Sequence, residues 1–296
     1  MENNIIEFVC ADCPRMCYAI RGEEGKGFCQ MGLKPVLARA ALHYDEEPCI
    51  SGTRGSGAVF FSGCALRCRF CQNYTLSHHR YGREITVERL RTIYQELIAQ
   101  GAHNINLVNP THFAESIGQS LETALSVPVV WNTGGYERVE TLKRMEGKVN
   151  VYLPDLKYIR PESAKKYSGA ANYFDFASKA LMEMYRQVGH VQLDDNGIIK
   201  SGLMIRHLVL PGCVEESKEI LSWIAENLPG VWVSLMAQYL PFGDLSGCEE
   251  LNRTLTEEEY EEVCDHLDFL GMENGYVQEI AAADQKYIPL FDLTGV

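Results

Sequence analysis

From Gly57 onward the chain alternates short apolar, β-branched runs with helical stretches, and that rhythm restricts the folds open to it. The runs lie at 58–62 (AVFFS), 104–108 (NINLV), 128–132 (PVVWN), 149–153 (VNVYL), 204–210 (MIRHLVL) and 231–236 (VWVSLM). They read as parallel strands covered by helices. Helical readings fill the gaps at 86–101, 113–125, 139–145, 174–189 and 214–228. A further helix opens at Thr256, where Glu259 completes a capping box and Leu255 and Tyr260 stand as a hydrophobic staple. Six β/α units in a row predict an α/β protein, its parallel sheet curled into a partial (β/α)6 TIM-like barrel. One interruption, at 190–202 (HVQLDDNGIIKSG), carries an Asn-Gly turn and predicts a hairpin inserted before the fifth strand.

This divides the chain into a Cys-rich N-terminal extension (1–56), a barrel (57–280) and a C-terminal tail (281–296) packing on the barrel. A chain of 296 residues, 46% of them hydrophobic, can bury a core without covalent staples. No run of about 18 apolar residues appears, so no bilayer span and no membrane partner are expected. The opening MENNIIEFVC lacks a basic region followed by an apolar stretch, so a cytoplasmic protein is expected. A net charge of −13 disfavours loose binding to nucleic acid, although CPRMCYAIRG and RCRFC are locally basic.

A reducing compartment keeps thiols free, so eleven cysteines do not read as a disulfide framework. Seven of them fall in two tight groups, as metal ligands do. One group, in FSGCALRCRFCQNY (61–74), places Cys64, Cys68 and Cys71 at C-x3-C-x2-C on the loop leaving the first barrel strand. Loops in that position build the active sites of such barrels. Three thiolates from one loop reach three corners of a [4Fe–4S] cubane and leave one iron open for a substrate or cofactor. The alternatives are a zinc ion completed by His78 or His79, and three uncoordinated thiols.

With a strand before it and Phe70 ahead of the last cysteine, this segment resembles the signature of radical S-adenosylmethionine (SAM) enzymes. The chain is similar to the branch around pyruvate formate-lyase-activating enzyme, and within it to a poorly characterised subgroup. CADCPRMC, EEPCISGTRGSGAVFFSGCALRCRFCQNY, GAHNINLVNPTH, VYLPDLKY, IRHLVLPG, VSLMAQYLP and ENGYVQE carry the likeness over nearly the whole chain. The resemblance implies that SAM chelates the open iron and is cleaved by one electron to methionine and a 5′-deoxyadenosyl radical, which takes hydrogen from a substrate. It also implies a flavodoxin or ferredoxin-type reductant, and a glycyl residue of a partner enzyme as the target. A small molecule, peptide or RNA is the alternative substrate. A non-catalytic iron–sulfur or zinc protein is the third reading.

The strand ends supply the remaining candidates. Asn109, Thr111 and His112 (NPTHF) stand where relatives carry a Gly-Gly-Glu stretch against the SAM amino group. Asn and Thr oxygens, and one ring nitrogen of a neutral His, can accept from an ammonium. The plainer reading is a Pro-led turn whose Thr caps the next helix. Asn132 and Thr133 (WNTGGYE) occupy the place of an Asp and a Thr that help bind a cation in the activases; Asn132 removes one charge from such a site. Gly134 and Gly135 would let backbone approach a ligand closely. Asp155 and Lys157 (PDLKY), two apart, point to one side of an extended segment and match a pair facing the cofactor. Arg206 matches an Arg that contacts SAM, and inside an apolar strand it needs a carboxylate, from a ligand or from Asp155. His207 faces the other way and reads as packed. Beyond the sixth strand, where relatives place a His near adenine, this chain offers Gln238 and Tyr239.

The second group, Cys10, Cys13, Cys17 and Cys29, has the spacing C-x2-C-x3-C-x11-C. It fits a closed zinc site stapling a short lead-in, or an auxiliary iron–sulfur cluster relaying electrons. The absence of paired C-x2-C knuckles favours iron–sulfur. Cys49 reads as a buried small hydrophobe or a substitute ligand. Cys264 reads as core, and Cys213 and Cys248 fall in loops with no assigned role.

Overall fold

In a computed structural model describing residues 9–22, 27–282 and 289–296, the rhythm becomes a ten-stranded sheet. The first half runs β1 (Val36–His43), α1 (Pro48–Ser51), β2 (Ser56–Phe61), α2 (Tyr74–Ser77), β3 (Arg83–Glu84), α3 (Val87–Ala99), β4 (Ile105–Val108), α4 (Ala114–Ser120), β5 (Val129–Thr133) and α5 (Val139–Met145). The second half runs β6 (Val151–Pro154), α6 (Pro161–Ser168), α7 (Tyr173–Val188), β7 (Gln192–Leu193), β8 (Ile199–Leu208), α8 (Val214–Asn227), β9 (Trp232–Met236), α9 (Glu257–Phe269) and β10 (Gly275–Val277). Spatial order is β10-β9-β8-β6-β5-β4-β2-β1-β3, with β7 paired to the start of β8. Every neighbouring pair from β2 to β10 is parallel, so the expected partial barrel is present. β1 and β3 add antiparallel strands at one end.

The local signals act as their chemistry dictates. Thr86 accepts from Arg89 N to cap α3, and Thr256 with Glu259 forms the capping box of α9. Pro161 at the first turn and left-handed Gly169 bracket α6, a helix the sequence reading did not include. The inserted hairpin forms around Asp194, whose Oδ1 accepts from Asn196 N and Ile198 N. Its returning arm is not separate but runs straight on as β8.

The extension drawn as residues 1–56 does not stand apart as a whole. β1 pairs with β2 from Leu37–Phe61 to His43–Ser56, so residues from Val36 onward belong to the sheet. Among the described residues before Val36, the strand pairing is limited to the bridge Val9–Ile20. In the tail, Leu293 N donates to Ala38 O (3.0 Å) and Ala40 N to Thr294 O (2.8 Å), while Phe291 packs edge-on against Phe60. Residues 283–288 of the expected tail lie outside the described residues.

The two faces of the sheet are buried differently. Outward-facing Leu107, Trp131, Tyr152, Ile205 and Leu235 share one core with helix residues such as Leu90, Leu142, Met184 and Ile220. Each such fully buried side chain contributes about 1.5–3 kcal/mol. Inward-facing Val130, Val151, Leu153 and Met204 meet Cys49 and Ile50 of α1. α1 is pinned at the amino ends of the strands, where Asn104 Nδ2 donates to Ile50 O (2.8 Å) and Ser56 Oγ to Asn104 Oδ1 (2.6 Å). The barrel is therefore floored at one end and open at the carboxyl ends of its strands. Among the described residues no helix is long and apolar enough to cross a membrane.

Candidate active site at the carboxyl ends of the strands

The open end holds a cavity of about 240 Å³ lined by Cys64, Cys68 and Cys71. These thiols sit on the loop after β2, the position from which barrel loops reach a reaction. Leu66 N (3.3 Å) and Arg67 N (3.5 Å) donate to Cys64 Sγ, and Ser168 Oγ donates to Cys68 Sγ (3.0 Å). Phe70, wedged between Tyr167 and Tyr239, holds the loop down. Burial pushes the Cys64 thiol up to about 11 and Cys71 up to about 12, with neighbouring thiols adding to both shifts. Such thiols lose their protons to a metal rather than to water.

Donor type, N–H and O–H bonds to sulfur, and a shared cavity wall suit a cluster held at three corners. Among the described residues, no three His, Cys, Asp or Glu side chains draw together tightly enough to hold one metal ion. His78 is engaged elsewhere, stacked on Tyr74 at 3.9 Å and bonded to Ser77 Oγ.

Opposite the thiols lies a network centred on Arg206. Its Nε donates to Asp155 Oδ1 (2.8 Å), its Nη2 to Asn132 Oδ1 (2.6 Å) and its Nη1 to Glu46 Oε2 (3.3 Å). Lys157 Nζ donates to Asp155 Oδ2 (2.6 Å). Two cations and two carboxylates cancel, which makes their burial tolerable. Burial alone would raise the Asp155 carboxyl, but Arg206 and Lys157 outweigh it and hold it below the usual range. Lys157 is held above its usual range by Asp155 and Cys68 against its own burial. Gly134 lines the cavity beside Leu66 and Lys157. At Gly135, φ is +77°, and a Cβ would collide with the Asp155 carbonyl oxygen.

Of the residues picked out from the strand ends, Asn109, Asn132, Thr133, Asp155, Lys157 and Arg206 line the cavity. Asn109 is left-handed (φ +61°), and its Nδ2 donates to Gly63 O (2.5 Å), tying β4 to the base of the cysteine loop. Thr111 and His112 do not reach the cavity. Thr111 Oγ1 donates to Glu137 Oε1 (2.5 Å), and His112 Nε2 donates to Ser62 O (2.7 Å). The short 3-10 turn Thr111–Phe113 swings both side chains behind the sheet. Burial holds the His112 imidazole down to about 3, so it stays neutral. Thr133 is split between roles, its hydroxyl also donating to Glu137 Oε1. His207 packs on the far face, bonded to Leu156 O and Ser217 Oγ. Gln238 lines the cavity, whereas Tyr239 is buried behind Phe70 and donates to Leu251 O.

Glu46 is the residue the sequence reading passed over. It comes from the β1–α1 turn at the barrel floor and also accepts from Asn106 and Asn132 through Oε1. Its only signal was the Glu-Glu-Pro stretch quoted for the resemblance. Next to it, burial pushes Glu47 up to about 7, Arg206 opposing and Glu46 adding. Cys49 belongs to the floor, buried among Ile50, Val130 and Val151. Cys264 packs at the margin of the main core, Cys248 is buried, and Cys213 lies near Tyr167 Oη.

Cys10, Cys13 and Cys29 are buried and Cys17 is exposed. Burial raises Cys10 and Cys29 and pushes Cys13 up to about 12, and each of the three also feels the charge of at least one other thiol of the group.

A family profile described as the Radical SAM superfamily matches residues 58–224. An uncharacterized protein of Methanocaldococcus jannaschii, MJ0674, is 31% identical over 262 residues, covering 85% of this chain and 72% of its own length. Two variant forms of spore photoproduct lyase have solved structures with a TM-score of 0.50 and 12% identity. One alignment covers 74% of each chain; the other covers 81% of this chain and 80% of the lyase. Likeness at that identity speaks to the fold alone. The profile spans the cysteine loop, the strands from β4 to β8 and Arg206, and with it this chain belongs to the radical SAM superfamily.

Proposed function

We propose that this radical SAM enzyme seats a [4Fe–4S] cluster on Cys64, Cys68 and Cys71 and SAM against Asn109, Asn132, Thr133, Asp155, Lys157 and Arg206. The observation that carries this reading is the shared cavity: three loop thiols face a charge-balanced Arg206–Asp155–Lys157 network across one space. When bound, the cluster and SAM supply one-electron C–S cleavage and hydrogen abstraction. The chain's part is to orient and to shield. Lys157 keeps two donor hydrogens beyond its bond to Asp155, suited to a carboxylate. Asn109 uses its Nδ2 on Gly63 and keeps its Oδ1 for an ammonium. Asp155, fixed by two cations, offers its remaining lone pairs to hydroxyls. Phe60, Leu66, Phe70, Leu208 and Met236 give the cavity apolar walls that exclude water.

Anaerobic reconstitution, reduction and addition of SAM should release 5′-deoxyadenosine, and Cys68→Ala should release none. Wild-type protein carrying zinc and no iron on this loop, or a cluster spectrum that ignores SAM, would sink the reading.

The finer reading takes hydrogen from a glycyl residue of a partner enzyme, with a flavodoxin or ferredoxin-type protein as reductant. It rests on the resemblance of the strand-end segments to the activase branch. The NPTH turn, Asn132 in place of an acid, and the missing His after the sixth strand depart from that branch. A small molecule, peptide or RNA is therefore the competing substrate. A glycyl-radical electron paramagnetic resonance doublet on a co-incubated partner decides for the first; turnover without one decides for the second.

A further inference from the structure

Four clustered thiols take no part in the cavity. Cys10, Cys13, Cys17 and Cys29 occupy a stretch whose only strand pairing among the described residues is the bridge Val9–Ile20. So little regular structure leaves its order to be supplied by something else. Where a Cβ on Gly27 would stand, Cys17 Sγ lies 3.1 Å away and Cys29 Sγ 3.9 Å. Arg21 is only 4% exposed, its Nη2 donates to Cys29 Sγ (3.4 Å), and its Nε has no partner among the described residues. A buried guanidinium with a spare donor among neutral thiols would be costly; beside an anionic thiolate assembly it is compensated.

The geometry also bears on which assembly. Zinc in four thiolates, with bonds of about 2.3 Å, pulls its sulfurs to within about 4 Å of one another. Among the described residues, no three of these thiols stand where one metal ion could hold them all. A cubane gives each thiolate its own iron and needs a wider frame.

The two groups touch. Gly63, next to Cys64, packs on the backbone of Cys29, where an added Cβ would lie 2.9 Å from Cys29 O. Arg15, between Cys13 and Cys17, donates to Ala65 O (2.8 Å) and Leu66 O (3.3 Å) inside the cysteine loop. It also donates to Ser168 O (2.7 Å) and Gly169 O (2.5 Å), beside the hydroxyl that bonds Cys68.

We propose that Cys10, Cys13, Cys17 and Cys29 hold a second iron–sulfur cubane that passes electrons to the cluster on the Cys64 loop. One electron from a reduced low-potential protein carrier enters at the exposed Cys17 corner and leaves toward Gly63. The N-terminal cluster returns to its oxidised state, the other gains one unit of negative charge, and no bond is made or broken.

The full chain with Cys64→Ala, Cys68→Ala and Cys71→Ala combined is the test. It should keep about four iron and four sulfide per chain, against about eight of each in wild type. Its reduced spectrum should not respond to SAM. Zinc in place of iron, or no metal at all, in this variant overturns the proposal. Because this readout involves no SAM cleavage, it stands or falls separately from the proposed function on which the electron's destination rests. Should the triple variant precipitate, Cys10→Ala gives the converse contrast: the SAM-insensitive signal is lost and the SAM-sensitive one stays, and loss of neither overturns the proposal. Arg21→Gln should make the midpoint potential of the SAM-insensitive cluster more negative, since a cation favouring the reduced state is gone. An unchanged potential overturns the placement of that cluster beside Arg21.

Discussion

The molecule carries two cysteine groups, and they are held in different ways. Cys64, Cys68 and Cys71 hang from the end of β2, a strand buried along its whole length and paired on both sides. Among the described residues, Cys10, Cys13, Cys17 and Cys29 hang from no buried strand. Side chains anchor them instead: Arg15 on the cysteine loop, Arg144 and Thr141 on Asp12, and Arg138 on Ala11 O. The first group inherits its geometry from the fold; the second must be ordered by clamps and, on the proposal above, by what it binds.

The largest expected difference between the groups is in turnover. Cys68→Ala should bring 5′-deoxyadenosine below detection, while Cys10→Ala, driven by a strong chemical reductant, should retain measurable product. Equal losses in both would break the comparison. Next comes the network facing the first group. Arg206→Leu leaves Asp155 and Glu46 buried without their shared cation and should cost about 3–5 kcal/mol in denaturant unfolding. SAM retention in equilibrium dialysis should fall with it. A stability change under 1 kcal/mol would mean that the network is not buried as described.

Arg15→Ala should destabilise by about 1.5–3 kcal/mol through its lost carbonyl bonds. The effect should appear as faster proteolysis within residues 9–22 and not in the barrel; cleavage spread evenly over both would refute the side-chain anchoring. The smallest effect concerns Glu137, in the helix-side layer between the groups. Burial pushes its carboxyl up to about 7, opposed by Thr111, Thr133 and Trp131. A raised carboxyl stabilises the fold below the unfolded value near 4.5, and that contribution is lost as pH rises through about 7. Glu137→Gln should therefore flatten melting temperature against pH across that window, and identical slopes would show that Glu137 is not raised.

The contrast also explains what could be read in advance. The parallel strands announced themselves as apolar runs, and the cysteine loop followed from its place after one of them. β1 did not, because VLARAALH carries charge and small residues and becomes a strand only by pairing with β2. β10 is three residues long and, among the described residues, pairs only with β9. At the site, Asp155 and Arg206 were legible because a charge in an apolar strand demands a partner. Glu46 was not, since it reaches the cavity from a turn before the barrel begins, and no local pattern encodes that path. Thr111 and His112 lie off the cavity for the opposite reason: their chemistry suited a ligand, but one 3-10 turn decides which side of the sheet they face.

Gly135 has no functional group, yet its α-carbon is pressed against the peptide of the acid that steadies both cations. A single methyl there would shove that peptide aside and unseat Asp155 from behind. Random mutagenesis scored by cofactor retention should thus return this hydrogen-only position alongside the charged ones, a vulnerability that comes from clearance and not from reactivity.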